Sequence, residues 1–148
     1  MLRREDVRDW ILDRKSARGL TWADIGRALG RSPVYAALLA YGYGQADERE
    51  AENLIRLLEL PPEASKALTA APYRKPVQPW PPTDPFVYRL YEVVLLYGPV
   101  LKDIAHELFG DGIMSAIDMT VDLKKVEEDG VERMVLTLNG KWLRYRKF

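Results

Sequence analysis

Cysteine is absent from the sequence, and histidine occurs only once among its 148 residues. Without cysteine the chain cannot form a disulfide, bind zinc or an iron–sulfur cluster through thiolates, or use a thiol nucleophile. A single histidine excludes His-rich metal sites and most Ser-His-Asp catalytic schemes. That histidine, His106, lies within a predicted helix, where we expect a structural or surface role.

An excess of charge of either sign is also absent. Lys and Arg total 22, Asp and Glu total 22, and the formal net charge is zero. The part of the chain up to Pro72 and the part after it each hold 11 basic and 11 acidic residues. Neither half carries the basic excess that is typical of proteins that bind nucleic acid or anionic membranes. Apolar residues make up 47% of the chain, which is typical of a globular protein.

Long hydrophobic runs are missing as well. The longest apolar stretch, 93–101, is far shorter than the ~20 residues that a membrane-spanning helix needs. The first residues carry charges of both signs, and no apolar segment typical of a secretion signal follows them. We therefore expect a soluble protein of the cytoplasm, with neither a membrane nor a nucleic acid as its partner.

Proline is concentrated in one part of the chain. Six of the ten prolines lie between Pro72 and Pro85, a density that neither a helix nor a central strand tolerates. We expect an extended linker over 72–85, which separates an N-terminal helical bundle, 1–71, from a C-terminal domain, 86–148.

The N-terminal region is predicted to form short helices, two of which make a helix-turn-helix. Thr21 is a good N-cap, apolar residues follow at helical spacing up to Leu29, and Gly30 ends the helix. Ser32 and Pro33 start the next helix. The pattern resembles the helix-turn-helix of bacterial repressors, but the second helix has no Arg, Lys, Asn or Gln to contact bases or phosphates. We expect this helix to pack against protein, and a DNA-binding regulator is the alternative function.

The C-terminal region is predicted to contain both helices and strands, so the chain belongs to the α+β class. Helices are expected over 86–96 and 100–109. The apolar period then changes to two, which predicts a β-hairpin over 118–138 with a turn at 127–130, followed by an Asn139-Gly140 turn and a basic tail. Because two strands alone are only marginally stable in water, we expect a second subunit to complete the sheet.

Two segments carry residues that are suited to chemistry. Arg89 and Glu92 are spaced i, i+3, so they are neighbours on one helix face. They could form an ordinary surface ion pair. Their neighbours are largely apolar, however, and an arginine held by a glutamate offers a permanently charged fork to a small planar anion. Farther on, Ser115 follows Gly110 and Gly112, which let a ligand approach the backbone; the same residues could simply form a helix cap and a turn.

Together these motifs resemble the signature of a known family. The resemblance rests on Pro82-Thr83-Asp84-Pro85, Tyr88-Arg89-x-Tyr91-Glu92, Tyr97-Gly98 and Phe109-Gly110-Asp111-Gly112-Ile113-x-Ser115-Ala116-Ile117. These segments are similar to those of the cyanase family, whose members are also called cyanate hydratases or cyanate lyases. The resemblance is strong over 82–148 and looser over the N-terminal helices.

The resemblance implies a site, a reaction and an assembly. The family's catalytic arginine, glutamate and serine match Arg89, Glu92 and Ser115. The implied reaction is the bicarbonate-dependent decomposition of cyanate to carbamate and carbon dioxide, after which carbamate gives ammonia and more carbon dioxide. No metal or organic cofactor is implied, and bicarbonate is the co-substrate. The implied assembly is a homodecamer of five dimers with swapped C-terminal strands and active sites shared between subunits.

The end of the chain departs from the family pattern. The segment 140–148 is basic, where the family usually has prolines, and this leaves the packing of the tail open. A catalytically inactive scaffold that keeps only the assembly is a further alternative. The presence of all three residues Arg89, Glu92 and Ser115 argues against it.

Overall fold

The computed structural model describes residues 2–72 and 79–146. Within these ranges the elements are α1 (Arg4–Ala17), α2 (Trp22–Leu29), α3 (Pro33–Ala40), α4 (Glu48–Leu58), α5 (Ala64–Thr69), α6 (Pro85–Phe109), β1 (Gly112–Glu128) and β2 (Val131–Arg144). Short N-terminal helices, one long helix and a two-stranded hairpin confirm the predicted α+β class.

The chain divides into two compact units. One contains α1–α5 together with Val121–Thr137, and the other contains α6 together with the remainder of both strands. The domain boundaries that we expect from the proline content stay a prediction. Six of the fourteen residues of the expected linker, 73–78, lie outside the described residues.

Helices α1–α5 pack around one apolar core, and they include the predicted helix-turn-helix. The largest fully buried side chains are those of Ile11, Ile25, Leu39, Leu54, Leu58 and Val7. Helix α2 ends at Gly30, whose φ of +67° favours glycine, and α3 begins at Pro33 after the Ser32 cap. Gly26 permits the close turn between them, because a Cβ there would lie 2.7 Å from Arg31 O. The short helix α5 is not among the helices predicted from the sequence.

A buried carboxylate ties the turn of the helix-turn-helix to the start of α4. Glu50 is only 5% exposed. Its Oε1 accepts a hydrogen bond from Arg31 Nε at 2.5 Å, and its Oε2 accepts from the Tyr35 hydroxyl and the Asp47 backbone N–H, both at 3.0 Å. Burial, and then the hydrogen bond to Glu50, raises the pKa of Tyr35 to about 12. The phenol therefore stays protonated and donates a hydrogen bond to the carboxylate.

The C-terminal helix is one element instead of the two expected over 86–96 and 100–109. Helix α6 runs for 25 residues and continues through Pro99, so the predicted interruption is wrong. An interior proline removes one backbone hydrogen bond, but the residues before and after it stay helical. Asp84 caps the first turn by accepting from the backbone N–H groups of Phe86 and Val87. None of the described helices is long and apolar enough to cross a membrane.

The hairpin is longer than the 118–138 range that we expected. Its strands begin and end well outside that range, and they turn at Asp129-Gly130. Asn139 and Gly140 lie inside β2, so the second turn predicted there is wrong. An Asn-Gly pair marks a turn only when no facing strand continues the ladder, and here β1 continues it.

Strand β1 is also less regular than the period-two pattern suggests. At the open end of the hairpin the backbone N–H of Tyr145 donates to Asp111 O. The stretch from Asp111 to Glu128 is three residues longer than the facing stretch from Val131 to Tyr145. Because paired strands otherwise match residue for residue, the extra residues of β1 must be accommodated as bulges.

Candidate active site

Arg89 and Glu92 lie one turn apart near the start of α6. Arg89 Nε donates to Glu92 Oε2 at 2.9 Å, which confirms that the two are neighbours on one helix face. In the single chain the Arg89 side chain is 77% exposed and that of Glu92 is 48% exposed. Because this hydrogen bond uses Nε, the edge formed by the two Nη groups remains open to a planar anion.

Ser115 lies in β1, where the backbone that follows it holds its side chain. The residue is 7% exposed, and its Oγ accepts hydrogen bonds from the backbone N–H groups of Ile117 at 3.2 Å and Asp118 at 2.9 Å. In a regular strand, consecutive residues face opposite sides and their N–H groups alternate between edges. Two consecutive N–H groups on one oxygen therefore locate part of the β1 bulge at 115–118.

The structure does not join the three predicted residues within one chain. Across the described ranges, no hydrogen bond links Ser115 to Arg89 or Glu92. Arg89 precedes Phe109, the last residue of α6, by 20 residues, and that separation is ~30 Å along a helix. Ser115 follows the end of α6 in sequence. The Arg89–Glu92 pair thus lies near the first residue of α6, whereas Ser115 follows its last residue in the chain.

A packed aromatic cluster connects α6 to β2. Trp142 stacks on Phe109, with ring centroids 5.0 Å apart, and lies edge-on to His106 at 6.1 Å. His106 Nε2 is 3.1 Å from Gly112 O, so the single histidine has the structural role that we expected. A Cβ on Gly112 would lie 2.9 Å from the Trp142 ring. The sequence reasoning missed Trp142, because we ended the second strand at Asn139-Gly140 and assigned the residues beyond to a basic tail.

Three grooves can be described by the residues that line them. Three grooves are lined by residues of α1–α5 and their loops, and none of the three includes Arg89, Glu92 or Ser115. Within 2–72 and 79–146, no three His, Asp or Glu side chains are grouped so that they could hold a metal ion.

Comparison with protein families gives two matches that together cover almost the whole chain. Residues 4–72 match the N-terminal domain of cyanate hydratase, and residues 79–147 match the cyanate lyase C-terminal domain. Both matches agree with the resemblance seen in the sequence motifs, including the N-terminal region where that resemblance was looser.

Individual relatives match over nearly their full length. The cyanate hydratase of Aquifex aeolicus is 65% identical over 94% of this chain and 93% of the relative. That of Sulfurisphaera tokodaii is 59% identical over 100% of both chains.

A solved structure, the crystal structure of cyanase from T. urticae, superposes with a TM-score of 0.85 at 33% identity, over 93% of this chain and 96% of that one. These relatives are named as enzymes, and the alternative of a DNA-binding regulator is therefore not supported. The fold, both family matches and the identity to full-length relatives agree, and the chain belongs to the cyanate hydratase family.

Proposed function

We propose that this chain decomposes cyanate with bicarbonate, and that Arg89, Glu92 and Ser115 form its anion site. Membership of the family makes it a carbon–nitrogen lyase. Cyanate, bicarbonate and a proton give carbamate and carbon dioxide; carbamate takes up another proton and gives ammonia and carbon dioxide. The observation that carries the proposal is the Arg89–Glu92 pair of the family's motif, held on an uncovered apolar helix with its guanidinium edge open.

Charge is the main obstacle to this reaction. Cyanate and bicarbonate are both monoanions, so their adduct is a dianion, and they repel each other as they approach. Arg89 offers a permanent positive charge and two parallel N–H donors, which match the oxygens of a carboxylate-like anion. A donor fixed before the reaction stabilises the developing charge without reorganisation. Holding both anions together also removes the entropic cost of their encounter.

Ser115 is suited to donate a hydrogen bond to one of the anions. Its Oγ already accepts two backbone N–H groups, so the hydroxyl hydrogen is the group left for a ligand. A serine nucleophile needs an adjacent base, and the described hydrogen-bond partners of this hydroxyl are backbone N–H groups. We therefore assign Ser115 to anion binding.

Glu92 supports Arg89 in the proposed site. Its Oε2 accepts the hydrogen bond from Arg89 Nε, which fixes the plane of the guanidinium. Its other oxygen, Oε1, is the atom that could pass a proton to the reacting anions. The first role uses the carboxylate itself, whereas in the second Oε1 must first take up a proton before it can pass one on.

We place the complete site between copies of the chain. No residue of α6 is buried within one chain. Many of its exposed side chains are large and apolar, among them Val93, Val94, Leu95, Leu96, Tyr97, Val100, Leu101, Ile104 and Leu108. A contiguous apolar surface of this kind marks an interface. An assembly of dimers that covers α6 would let Arg89 of one copy meet Ser115 of another, and we propose the family's decamer as that assembly.

The proposed reaction is tested by following the carbon of bicarbonate with an isotope label. Purified protein is given cyanate with and without ¹³C-labelled bicarbonate, and ammonia and carbon dioxide are measured in the initial phase. We expect ammonia only when bicarbonate is present, with one labelled and one unlabelled carbon dioxide for each ammonia. Ammonia release that is independent of bicarbonate, or no release by folded protein, would contradict the proposal.

A further inference from the structure

We infer that Gly140 is a positioning residue, which allows β2 to approach β1 closely enough to fix Ser115. This inference rests on the proposed function of Ser115 as a hydrogen-bond donor to a bound anion. Gly140 does not contact the substrates; it acts through the backbone of the residue that does.

The geometry at Gly140 leaves no room for a side chain. A Cβ built on this glycine would lie 2.8 Å from Ser115 O and 2.9 Å from Met114 Sδ, and it would also overlap Met114 Cγ. The glycine is not required by its backbone angles, because its φ is not among the positive values found at other glycines. Gly140 is therefore required by the close approach of the two strands.

The position of this contact matters because it coincides with the bulge. Ser115 O faces Gly140, while Ser115 Oγ accepts from the N–H groups of Ile117 and Asp118. A Cβ at position 140 would push the Ser115 carbonyl away, and the peptide plane could move only by turning the residues that form the bulge. The Ser115 hydroxyl would then no longer point toward the anion to which it donates a hydrogen bond.

The contributions of the two residues near position 140, Met114 and Ser115, can be separated by mutation. The Met114 side chain is flexible and 41% exposed, so it can give way or be shortened, whereas the Ser115 carbonyl belongs to the backbone. The double variant Gly140→Ala with Met114→Ala keeps only the crowding against Ser115 O. It is expected to fold even if the single Gly140→Ala variant does not.

The experiment compares kcat and amide exchange in four variants: Gly140→Ala, Met114→Ala, the double variant, and Gly26→Ala. Gly26 is the matched control, because a Cβ there would lie 2.7 Å from Arg31 O in the N-terminal helical unit. We expect Gly26→Ala to lower thermal stability while kcat changes by less than about twofold, since the atoms that its Cβ would meet belong to Arg31, Ser32 and Pro33 of the helix-turn-helix. We expect Gly140→Ala, and the double variant relative to Met114→Ala, to lower kcat by at least about tenfold, because a displacement near 1 Å can have such an effect.

Hydrogen–deuterium exchange gives a readout that does not depend on catalysis. The amides of Ile117 and Asp118 should exchange faster in the Gly140 variants and at the wild-type rate in Gly26→Ala. Recovery of full activity in the double variant would show that only Met114 packing was disturbed, and would overturn the inference. Unchanged exchange at the two amides in the double variant would overturn it as well. A wild-type protein inactive on cyanate would instead contradict the proposed function, while the exchange comparison would still decide the role of Gly140.

Discussion

Arg89 is defined by its geometry as much as by its charge. Glu92 occupies Nε, and the Nη edge is left as a flat pair of donors. The same kind of pair occurs at the hairpin tip, where Arg133 Nε lies 3.0 Å from Glu128 Oε2. The local contact alone therefore does not identify a site. What distinguishes Arg89 is its place in the family's motif and on an uncovered apolar helix.

Replacing Arg89 by lysine should remove most of the activity although the charge is kept. Lysine is a point charge without the planar fork, and we expect kcat to fall by about a hundredfold, as when a fixed donor to the transition state is lost. Arg133→Lys is the matched control, and its ammonia release should stay close to that of the wild type. Near-normal turnover by Arg89→Lys would contradict the role that we give to the fork.

Tyr35 makes a prediction about alkaline stability. Its pKa is raised from the ordinary value of 10.0 to about 12, so the folded chain holds the phenol proton more tightly than the unfolded chain. The stability that this provides is fully present below pH 10.0 and is lost as the pH rises toward about 12. At neutral pH the Tyr35→Phe variant should unfold at a lower temperature than the wild type. The two unfolding temperatures should converge as the pH rises over this range. A constant difference between the two proteins would show that Tyr35 does not titrate with folding.

Among the elements, the N-terminal helices depend on their caps. At α2, Thr21 Oγ1 accepts from the Asp24 N–H at 3.1 Å, and the Thr21 N–H donates to Asp24 Oδ2 at 2.7 Å. This reciprocal pair satisfies backbone groups that the helix leaves unpaired. The hydrogen bonds from the Thr21 hydroxyl and then from its backbone N–H also lower the pKa of Asp24, so the carboxylate stays ionised.

Thr21→Ala should destabilise the helical unit by ~1 kcal/mol, because the cap loses its acceptor. Thr21→Ser, which keeps the hydroxyl, is the control and should remain close to the wild type. Chemical denaturation monitored by circular dichroism measures the difference. Equal midpoints for Thr21→Ala and wild type would mean that the cap contributes nothing.

How far the sequence predicts these elements depends on whether the signal is local. The caps at Thr21 and Ser32 and the turn at Gly30 are local, and the helix-turn-helix followed from them. The interruption expected between 96 and 100 was wrong, because the tendency of a proline such as Pro99 to break a helix is a preference that the surrounding helix overrode. The bulge at Ser115 and the close approach of Gly140 depend on which strand faces which, and no single segment encodes that pairing. The motif identified Arg89, Glu92 and Ser115 as candidates, but not the hydrogen bonds that orient them.

At the scale of the whole molecule, two features of the single chain support the proposed assembly. Helix α6 buries none of its residues, and among the described residues no hydrogen bond joins Ser115 to Arg89 or Glu92. Covering the apolar helix with other copies would remove its contact with water and bring separated residues together. One assembly can therefore account for both the apolar face and the divided site.

Mixing inactive variants tests this account most directly. Arg89→Ala and Ser115→Ala proteins are each dissociated, mixed, reassembled and assayed for ammonia release from cyanate with bicarbonate. If each site takes Arg89 from one copy and Ser115 from another, some sites in the mixture contain both intact residues, and activity should return. The same treatment of either variant alone should stay inactive. No recovery in mixed assemblies that are shown to contain both chains, or full activity in a stable monomer, would contradict the shared site.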